Sequence, residues 1–180
     1  MIELLIVIGV LGILATGLLA AVDPFEQLKK ARDTNNRQAA VSLQTAFIRY
    51  YATHGQLPWD LATPPTGCAD TIFTDRAIGE SIATLTDCVT ALENDGELKT
   101  GFVAALGTVV AENTNVSSPS KGTLQICFIP ASKSIWNEES TKYNKSGVDL
   151  PGADPAVTCG STWKGLNSDL VGTLCHVCAK

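Results

Sequence analysis

The distribution of hydrophobic and polar positions divides the chain near residue 22. Seventeen of the first 22 residues are hydrophobic, and this segment carries one charge, Glu3. As a helix that rises ~1.5 Å per residue, residues 1–22 span ~33 Å, which matches the hydrocarbon core of a bilayer. The stretch is longer than the apolar part of a signal peptide, which is about 7–15 residues. The pattern therefore predicts an apolar helix over residues 1–24 that crosses a membrane or packs against other protein helices.

The segment that follows has the pattern of an amphipathic helix. Asp23-Pro24 is expected to kink or locally melt the helix, because proline removes one backbone hydrogen bond and crowds the preceding turn. Gly55 and Pro58 are typical of a helix end. The predicted element is a long helix over about residues 2–54, kinked near Pro24. Hydrophobic residues recur in its second half at steps near three and four, namely at Leu28, Ala31, Ala39, Ala40, Leu43, Ala46, Phe47 and Tyr50.

Aromatic residues cluster toward the end of this helix. Phe47, Tyr50 and Tyr51 are expected to pack beneath the sheet of the body, and Trp59 is expected to cover the helix end. His54 lies beside the predicted helix C-terminus, where a histidine most simply interacts with the last carbonyl groups.

Residues 25–180 are predicted to form a water-soluble body that includes this amphipathic helix. The strongest strand pattern is at residues 123–130, and a final short strand is expected within residues 169–179. Residues 113–122 are typical of a turn-rich tip, whereas residues 102–110 fit a helix or a strand. These elements predict an α+β fold. One helical face within residues 68–98 is indicated by Ile82, Leu85, Val89 and Leu92.

The charge distribution also divides the chain after the apolar segment, and again near residue 50. Residues 23–49 carry five bases against three acids, whereas residues 50–180 carry 14 acids against eight bases. The net charge of the whole chain is −5. An acidic body argues against nucleic acid as the main ligand, because backbone phosphates are held by clustered lysine and arginine side chains.

Six cysteines, an even number, lie beyond the apolar segment, and this favours disulfides formed in an oxidising compartment. Six cysteines allow 15 pairings. The preferred interpretation joins Cys68 to Cys88 as a local loop and leaves Cys127 and Cys159 to reach Cys175 and Cys178. The alternatives use Cys175-His176-Val177-Cys178 as a redox dithiol or as half of a zinc site.

The sequence predicts no catalytic, cofactor-binding or metal-binding residues, and the chain is not expected to be an enzyme. The two histidines, His54 and His176, lack a recognisable nucleophile context. The acidic run over residues 93–97 lacks the spacing of a calcium loop and is interpreted as an exposed turn. Asn115-Val116-Ser117 and Asn144-Lys145-Ser146 match the N-glycosylation pattern, which short triplets also do by chance.

The N-terminal residues carry a family resemblance. Residues 2–8 read IELLIVI, and with Gly9 and residues 12–15, GILA, they resemble the N-terminus of mature type IV pilins and of the pseudopilins of type II secretion. The resemblance covers about residues 1–58. In that family the glutamate stands two residues further from the mature N-terminus than Glu3 does. The match therefore implies that the leader and the first two mature residues are absent from this chain.

The resemblance implies a pilin-like fold, in which a long helix packs on a small antiparallel sheet with disulfide-tied loops. It implies cleavage by a prepilin peptidase, methylation of the new N-terminus, and single-pass storage in inner-membrane lipid. An assembly machinery would then stack the subunits into an extracellular filament on the cell surface that serves adhesion, motility or another task. Glu3 would neutralise the N-terminal amine of a neighbouring subunit and so fix the register of assembly.

Two other functions fit the sequence. The first is a pseudopilin of type II secretion or DNA uptake, whose short filament stays within the cell envelope. The second belongs to a different class, a membrane-anchored redox or metal-binding module that uses Cys175 and Cys178.

Overall fold

Two successive helices open the chain, and shorter helices and a small sheet follow them. The computed structural model describes residues 2–21, 23–69, 79–136 and 176–179. The helices are α1 (Ile2–Ala21), α2 (Pro24–His54), α3 (Thr86–Asn94), α4 (Phe102–Leu106), α5 (Thr108–Asn113) and α6 (Lys133–Trp136), with a 3₁₀ turn at Pro58–Asp60. The strands are β1 (Glu80–Ser81), β2 (Thr114–Ser117), β3 (Gln125–Phe128) and β4 (Val177–Cys178).

The four strands form one antiparallel sheet in the order β1-β2-β3-β4. Asn115 pairs with Cys127 in the centre of the sheet, and Cys127 pairs with Cys178 at β4. The predicted α+β class and the small antiparallel sheet are therefore confirmed. The observed β3 lies inside the strand predicted at residues 123–130, and β4 lies inside the one predicted at residues 169–179.

Residues 113–122 differ in part from the expected turn-rich tip. Their first half forms β2, which is buried along its whole length between β1 and β3. Asparagine and serine have a low intrinsic propensity for strands. This propensity is weak, and the position of β2 in the centre of the sheet overrides it. The turn itself occupies the second half, where Gly122 has a φ of 75°.

Residues 102–110, where helix and strand patterns were equally good, belong to two short helices. Gly107 separates α4 from α5 and has a φ of 78° and a ψ of 158°. Few residues other than glycine adopt this conformation, so the helix cannot continue through it.

Helix α2 ends where the sequence predicts. Gly55 adopts the left-handed conformation with a φ of 73°, and its N–H donates to the Tyr51 carbonyl at 2.7 Å. This geometry satisfies a carbonyl that the end of a helix otherwise leaves unpaired. The Nδ1 of His54 lies 3.2 Å from the Tyr50 carbonyl oxygen, which agrees with the expected role at the helix end.

The core of the body lies between α2, α3 and the sheet. Helix α2 contributes Ala40, Leu43, Ala46, Phe47 and Tyr50, all of which are buried. The ring of Trp59 packs edge-on against Phe47, with centroids 5.1 Å apart, and closes the core below the helix end. The face predicted within residues 68–98 is also buried, namely Ile82, Leu85, Val89 and Leu92. Of these four, Val89 and Leu92 lie in α3 and the other two lie in the turn before it.

The prediction of a hydrophobic stripe along α2 is wrong for the first half of the helix. Leu28 is 68% exposed, and Ala31 is exposed as well. The buried face continues instead through two polar residues, Asp33 and Asn36. Tyr51, expected beneath the sheet, is 42% exposed. Its hydroxyl lies beside Gly122, where an added Cβ would come within 3.5 Å of it.

Two disulfides lie within the described part of the body. Cys68 bonds to Cys88, as predicted, and Cys127 bonds to Cys178, which is one of the pairings that the sequence left open. None of the described cysteines is a free thiol. Cys159 and Cys175 lie outside the described residues. The second bond joins β3 to β4 and so holds the end of the chain on the sheet.

The phenol of Tyr50 provides a test of how α2 packs on the body. Burial, together with the charge of Asp95, raises the pKa of Tyr50. Folding therefore favours the protonated phenol, whose contribution to stability is complete below pH ~10 and is lost as the pH rises through the folded-state pKa. We expect the melting temperature, followed by circular dichroism, to fall more steeply above pH ~10 in the wild type than in Tyr50→Phe.

Tyr51→Phe is the matched control, because this neighbouring phenol is largely outside the core. It should keep the slope of the wild type. If all three proteins lose stability in parallel above pH ~10, the packing assigned to Tyr50 is incorrect.

Candidate functional site

Helix α1 exposes its hydrophobic surface on every side. Eleven large hydrophobic side chains between Ile2 and Leu18 are exposed, from 52% at Val10 to 76% at Ile2. They surround the helix and do not form a stripe. Burying such a side chain stabilises by about 1.5–3 kcal/mol, so a helix that is apolar all round requires a partner or lipid. The rest of the described chain does not cover α1.

The surface of α1 also contains gaps that another helix could approach. A Cβ added at Gly9, Gly12 or Gly17 would meet no atom within 4 Å. Small residues of this kind let two helix backbones come close together. Glu3, the single charge on the described part of α1, lies in its first turn and is exposed.

Among the residues that the structure describes, no helix has the length and apolarity required to cross a membrane.

The junction between α1 and α2 is a capped break. Asp23 is extended, with a φ of −80° and a ψ of 97°, and its Oδ1 accepts hydrogen bonds from the N–H groups of Phe25 and Glu26 at 3.1 and 3.4 Å. Pro24 occupies the first position of α2, where its missing N–H has no cost. The interruption predicted near Pro24 is confirmed, but Pro24 starts a second helix and does not bend a continuous one.

Two carboxylates on α2 bind the loop that follows β3. Asp33 is fully buried, and its two oxygens accept the N–H groups of Ala131 and Ser132, both at 2.8 Å. Glu26 accepts the next N–H, that of Lys133, at 3.1 Å. These N–H groups belong to the two residues before α6 and to its first residue. N–H groups at the start of a helix have no carbonyl acceptor within the helix. The first third of α2 is therefore attached to the body by hydrogen bonds.

Glu26 has a second partner on its own helix. The ammonium group of Lys29 lies 2.8 Å from Glu26 Oε1. This hydrogen bond, followed by the one from the Lys133 N–H, lowers the pKa of Glu26. The carboxylate therefore stays ionised in mildly acidic conditions, and the contacts around the junction persist there.

Neither carboxylate is among the site residues predicted from the sequence. One signal was present, because Asp33 lies at the spacing of the buried stripe, seven residues before Ala40 and ten before Leu43. An acid at a position that should be apolar indicates a partner with hydrogen-bond donors. The donors lie about 100 residues away, so the sequence could not identify them.

The acidic run over residues 93–97 has structural partners. Glu93 accepts the N–H groups of Gly101 and Phe102 at 3.0 and 2.9 Å and so caps α4. Glu97 pairs with the Arg49 guanidinium at 2.6 Å, and Asp95 lies 3.4 Å from the His54 ring. These contacts join the end of α2 to the turn after α3. Nowhere in the described ranges do three or more potential metal ligands cluster.

Two other sequence motifs have defined positions. Cys178 is bonded to Cys127, so it does not pair with Cys175 as a C-x-x-C motif would require. Asn115 is buried in β2, and its amide nitrogen lies 3.2 Å from the ring of His176. A buried side chain in a central strand is a poor acceptor for sugar. The second triplet, Asn144-Lys145-Ser146, lies outside the described residues.

Comparison of the chain with protein-family models, with curated proteins and with solved structures gave no match.

Replacing Asp33 tests the attachment of α2 to the body. In Asp33→Ala the N–H groups of Ala131 and Ser132 lose their acceptors. Hydrogen bonds to a charged group contribute about 1.5–3 kcal/mol each, and we expect the free energy of unfolding to fall by about 2–4 kcal/mol. Urea unfolding followed by tryptophan fluorescence measures this change.

Thr34→Ala is the control, since it changes an exposed neighbour on the same helix. It should alter the free energy of unfolding by no more than about 0.5 kcal/mol. Equal effects of the two substitutions would contradict the role of the Asp33 carboxylate.

Proposed function

We propose that this protein is a structural subunit of an extracellular type IV pilus or pilus-like filament. The observation that carries the proposal is α1, a helix of 20 residues with exposed hydrophobic side chains on all faces. It is joined by a capped break to a water-soluble, disulfide-bonded body. A chain of this kind can bury α1 by packing it against α1 of further copies while the bodies remain in water.

Helix packing suits the surface of α1. Its glycines permit close approach, and its leucine, isoleucine and valine side chains can interdigitate with those of a parallel copy. Each copy offers the same faces in several directions, so the association extends into a filament and does not end at a dimer. Before assembly the same apolar surface would be held in inner-membrane lipid, and prepilin peptidase and the assembly machinery would act there.

Glu3 gives this packing its specificity. In a bundle of apolar helices an unpaired carboxylate costs several kcal/mol, so it must meet a cation from another copy. Arrangements that leave it unpaired are penalised, and the allowed axial positions are restricted. The family resemblance assigns this function to the corresponding glutamate, and the exposed position of Glu3 in the first turn supports it.

The other pilin-like function is a pseudopilin whose filament stays in the cell envelope. Mechanical shearing of cells that express this chain separates the two functions. Sheared filaments that contain the chain, seen by electron microscopy and identified by mass spectrometry, are expected for a surface pilus. Retention of the chain in the membrane fraction, without filaments, would refute the surface pilus.

A redox or zinc module is disfavoured, because Cys178 is bonded to Cys127.

Replacing Glu3 tests its role in assembly. Glu3→Ala removes the only charge of the described α1 without changing its apolar character. We expect membrane association to be unchanged and the yield of sheared filaments to fall at least about tenfold, since a single charge pair that fixes register contributes 1.4 kcal/mol or more.

Glu112→Ala is the matched control, because it removes an exposed carboxylate from α5 on the body. It should leave the filament yield unchanged. A normal yield of filaments from Glu3→Ala would remove Glu3 from the assembly mechanism.

A further inference from the structure

The start of α2 is a basic surface on a chain that is acidic elsewhere. Lys29, Lys30, Arg32 and Arg37 lie within nine successive residues, and we call these four side chains the basic collar. Three of them, Lys30, Arg32 and Arg37, are exposed. Residues 50–180, in contrast, carry 14 acids against eight bases. The cations are therefore concentrated where α2 follows the apolar helix.

Each acid in residues 23–49 already has a partner within the chain. The first N–H groups of α2, the Lys29 ammonium and the loop after β3 bind Asp23, Glu26 and Asp33, in that order. Lys30 and Arg32 form no ion pair with any residue that the structure describes. Both cations can therefore attract an anionic surface from outside the chain. An attraction of this kind acts through water, so the cations can stay solvated.

Lys30 and Arg32 lie on opposite sides of α2. Successive residues of an α-helix are about 100° apart, so a separation of two residues turns the side chain by about 200° around the axis. A partner that lies flat along one side of the helix contacts only one of these cations. A charged plane that crosses the helix axis at this level contacts both, and the surface of a bilayer is such a plane.

Two large hydrophobic side chains lie between the collar and α1. Phe25 is 73% exposed and Leu28 is 68% exposed. They are three residues apart and so share a face of the helix. The rise from Phe25 to Arg32 is ~10 Å, comparable to the thickness of the headgroup region of a bilayer. Apolar side chains followed by cations at this distance are typical of a segment at a membrane interface, where basic groups reach the headgroups.

We propose that the start of α2 binds the surface of a membrane that contains anionic phospholipids, with the basic collar at the headgroup phosphates. Phe25 and Leu28 then contact the acyl chains beneath the phosphates. This inference rests on the proposed storage of the chain in inner-membrane lipid, and it names the class of lipid that holds the chain there. Each cation near such a surface strengthens binding about fivefold. The same surface repels the acidic remainder of the body, so the collar also sets which end of the body faces the lipid.

Competition between two kinds of vesicle tests the collar. The full chain is transferred from detergent into a mixture of phosphatidylcholine vesicles and vesicles that also contain phosphatidylglycerol, and sedimentation separates the two kinds. Helix α1 contributes equally to both, so the distribution reports the electrostatic attraction. We expect the wild type to prefer the anionic vesicles at least about tenfold at low salt. The preference should fall at least about fivefold in Lys30→Gln/Arg32→Gln, and high salt should abolish it in the wild type.

Lys99→Gln/Lys121→Gln is the matched control. It removes two exposed lysines near the other end of α2, since Lys99 follows the partner of Arg49 and Lys121 adjoins the turn beside Tyr51. This variant should change the vesicle preference less than about twofold. Both double variants alter exposed side chains, so each should keep the melting temperature of the wild type within about 2 °C. Equal losses of preference in the two variants would reduce the effect to net charge and overturn the collar.

A photocrosslinker at position 28 identifies the neighbour of this surface directly. In the membrane fraction, after sheared filaments have been removed, we expect adducts with phospholipids that are enriched in anionic headgroups, identified by mass spectrometry. Adducts with protein alone would overturn the lipid contact. A filament yield that falls at least about tenfold in Lys30→Gln/Arg32→Gln, with the vesicle preference intact, would also overturn it and would assign the cations to the acidic body of another copy.

The outcomes for the lipid contact and for the filament can be told apart. A wild-type chain without preference for anionic vesicles that still forms sheared filaments would disprove the lipid contact and leave the filament function standing. A wild-type chain that prefers anionic vesicles but forms no filaments would disprove the filament function and support the contact with lipid.

Discussion

The main constraint on this chain is that one apolar helix must leave water while the body attached to it must remain there. Helix α1 has hydrophobic side chains on all faces and no covering from the rest of the described chain. The break at Asp23-Pro24 separates the two requirements. Because Asp23 satisfies the first N–H groups of α2, the body's helix starts independently of whatever surrounds α1. The two parts can then meet different surroundings without loss of helical hydrogen bonds at the junction.

Polar contacts attach α2 to the body where its apolar face ends. From Ala40 to Tyr50 the helix packs on the core through hydrophobic side chains. Closer to the junction, the Asp33 and Glu26 carboxylates bind three successive backbone N–H groups after β3. The other end of α2 is held by Arg49 and His54, which contact the turn after α3. Hydrogen bonds and ion pairs at both ends therefore fix the position of α2 on the body.

The sheet is small, and covalent bonds compensate for its size. Its described strands are two to four residues long, and strands this short are marginal without further support. The Cys127–Cys178 bond closes a loop across 51 residues and the Cys68–Cys88 bond a loop across 20. On the chain-entropy account, bonds that close loops of this length each stabilise by about 3–4 kcal/mol. Bonds of this kind persist in oxidising compartments.

The sequence by itself determined the local features. An unbroken apolar run specifies α1, Asp23-Pro24 specifies the break, Gly55 specifies the end of α2, and the spacing of 20 residues made the Cys68–Cys88 bond the simplest local pair. Tertiary structure decided what depends on residues far apart in the chain. It placed Asp33 on amides about 100 residues away, buried the polar β2 in the centre of the sheet, and left Leu28 exposed near the start of α2. The physical reason is that periodicity and capping act within a few residues, whereas the partner of a buried polar group is selected only when distant segments pack together.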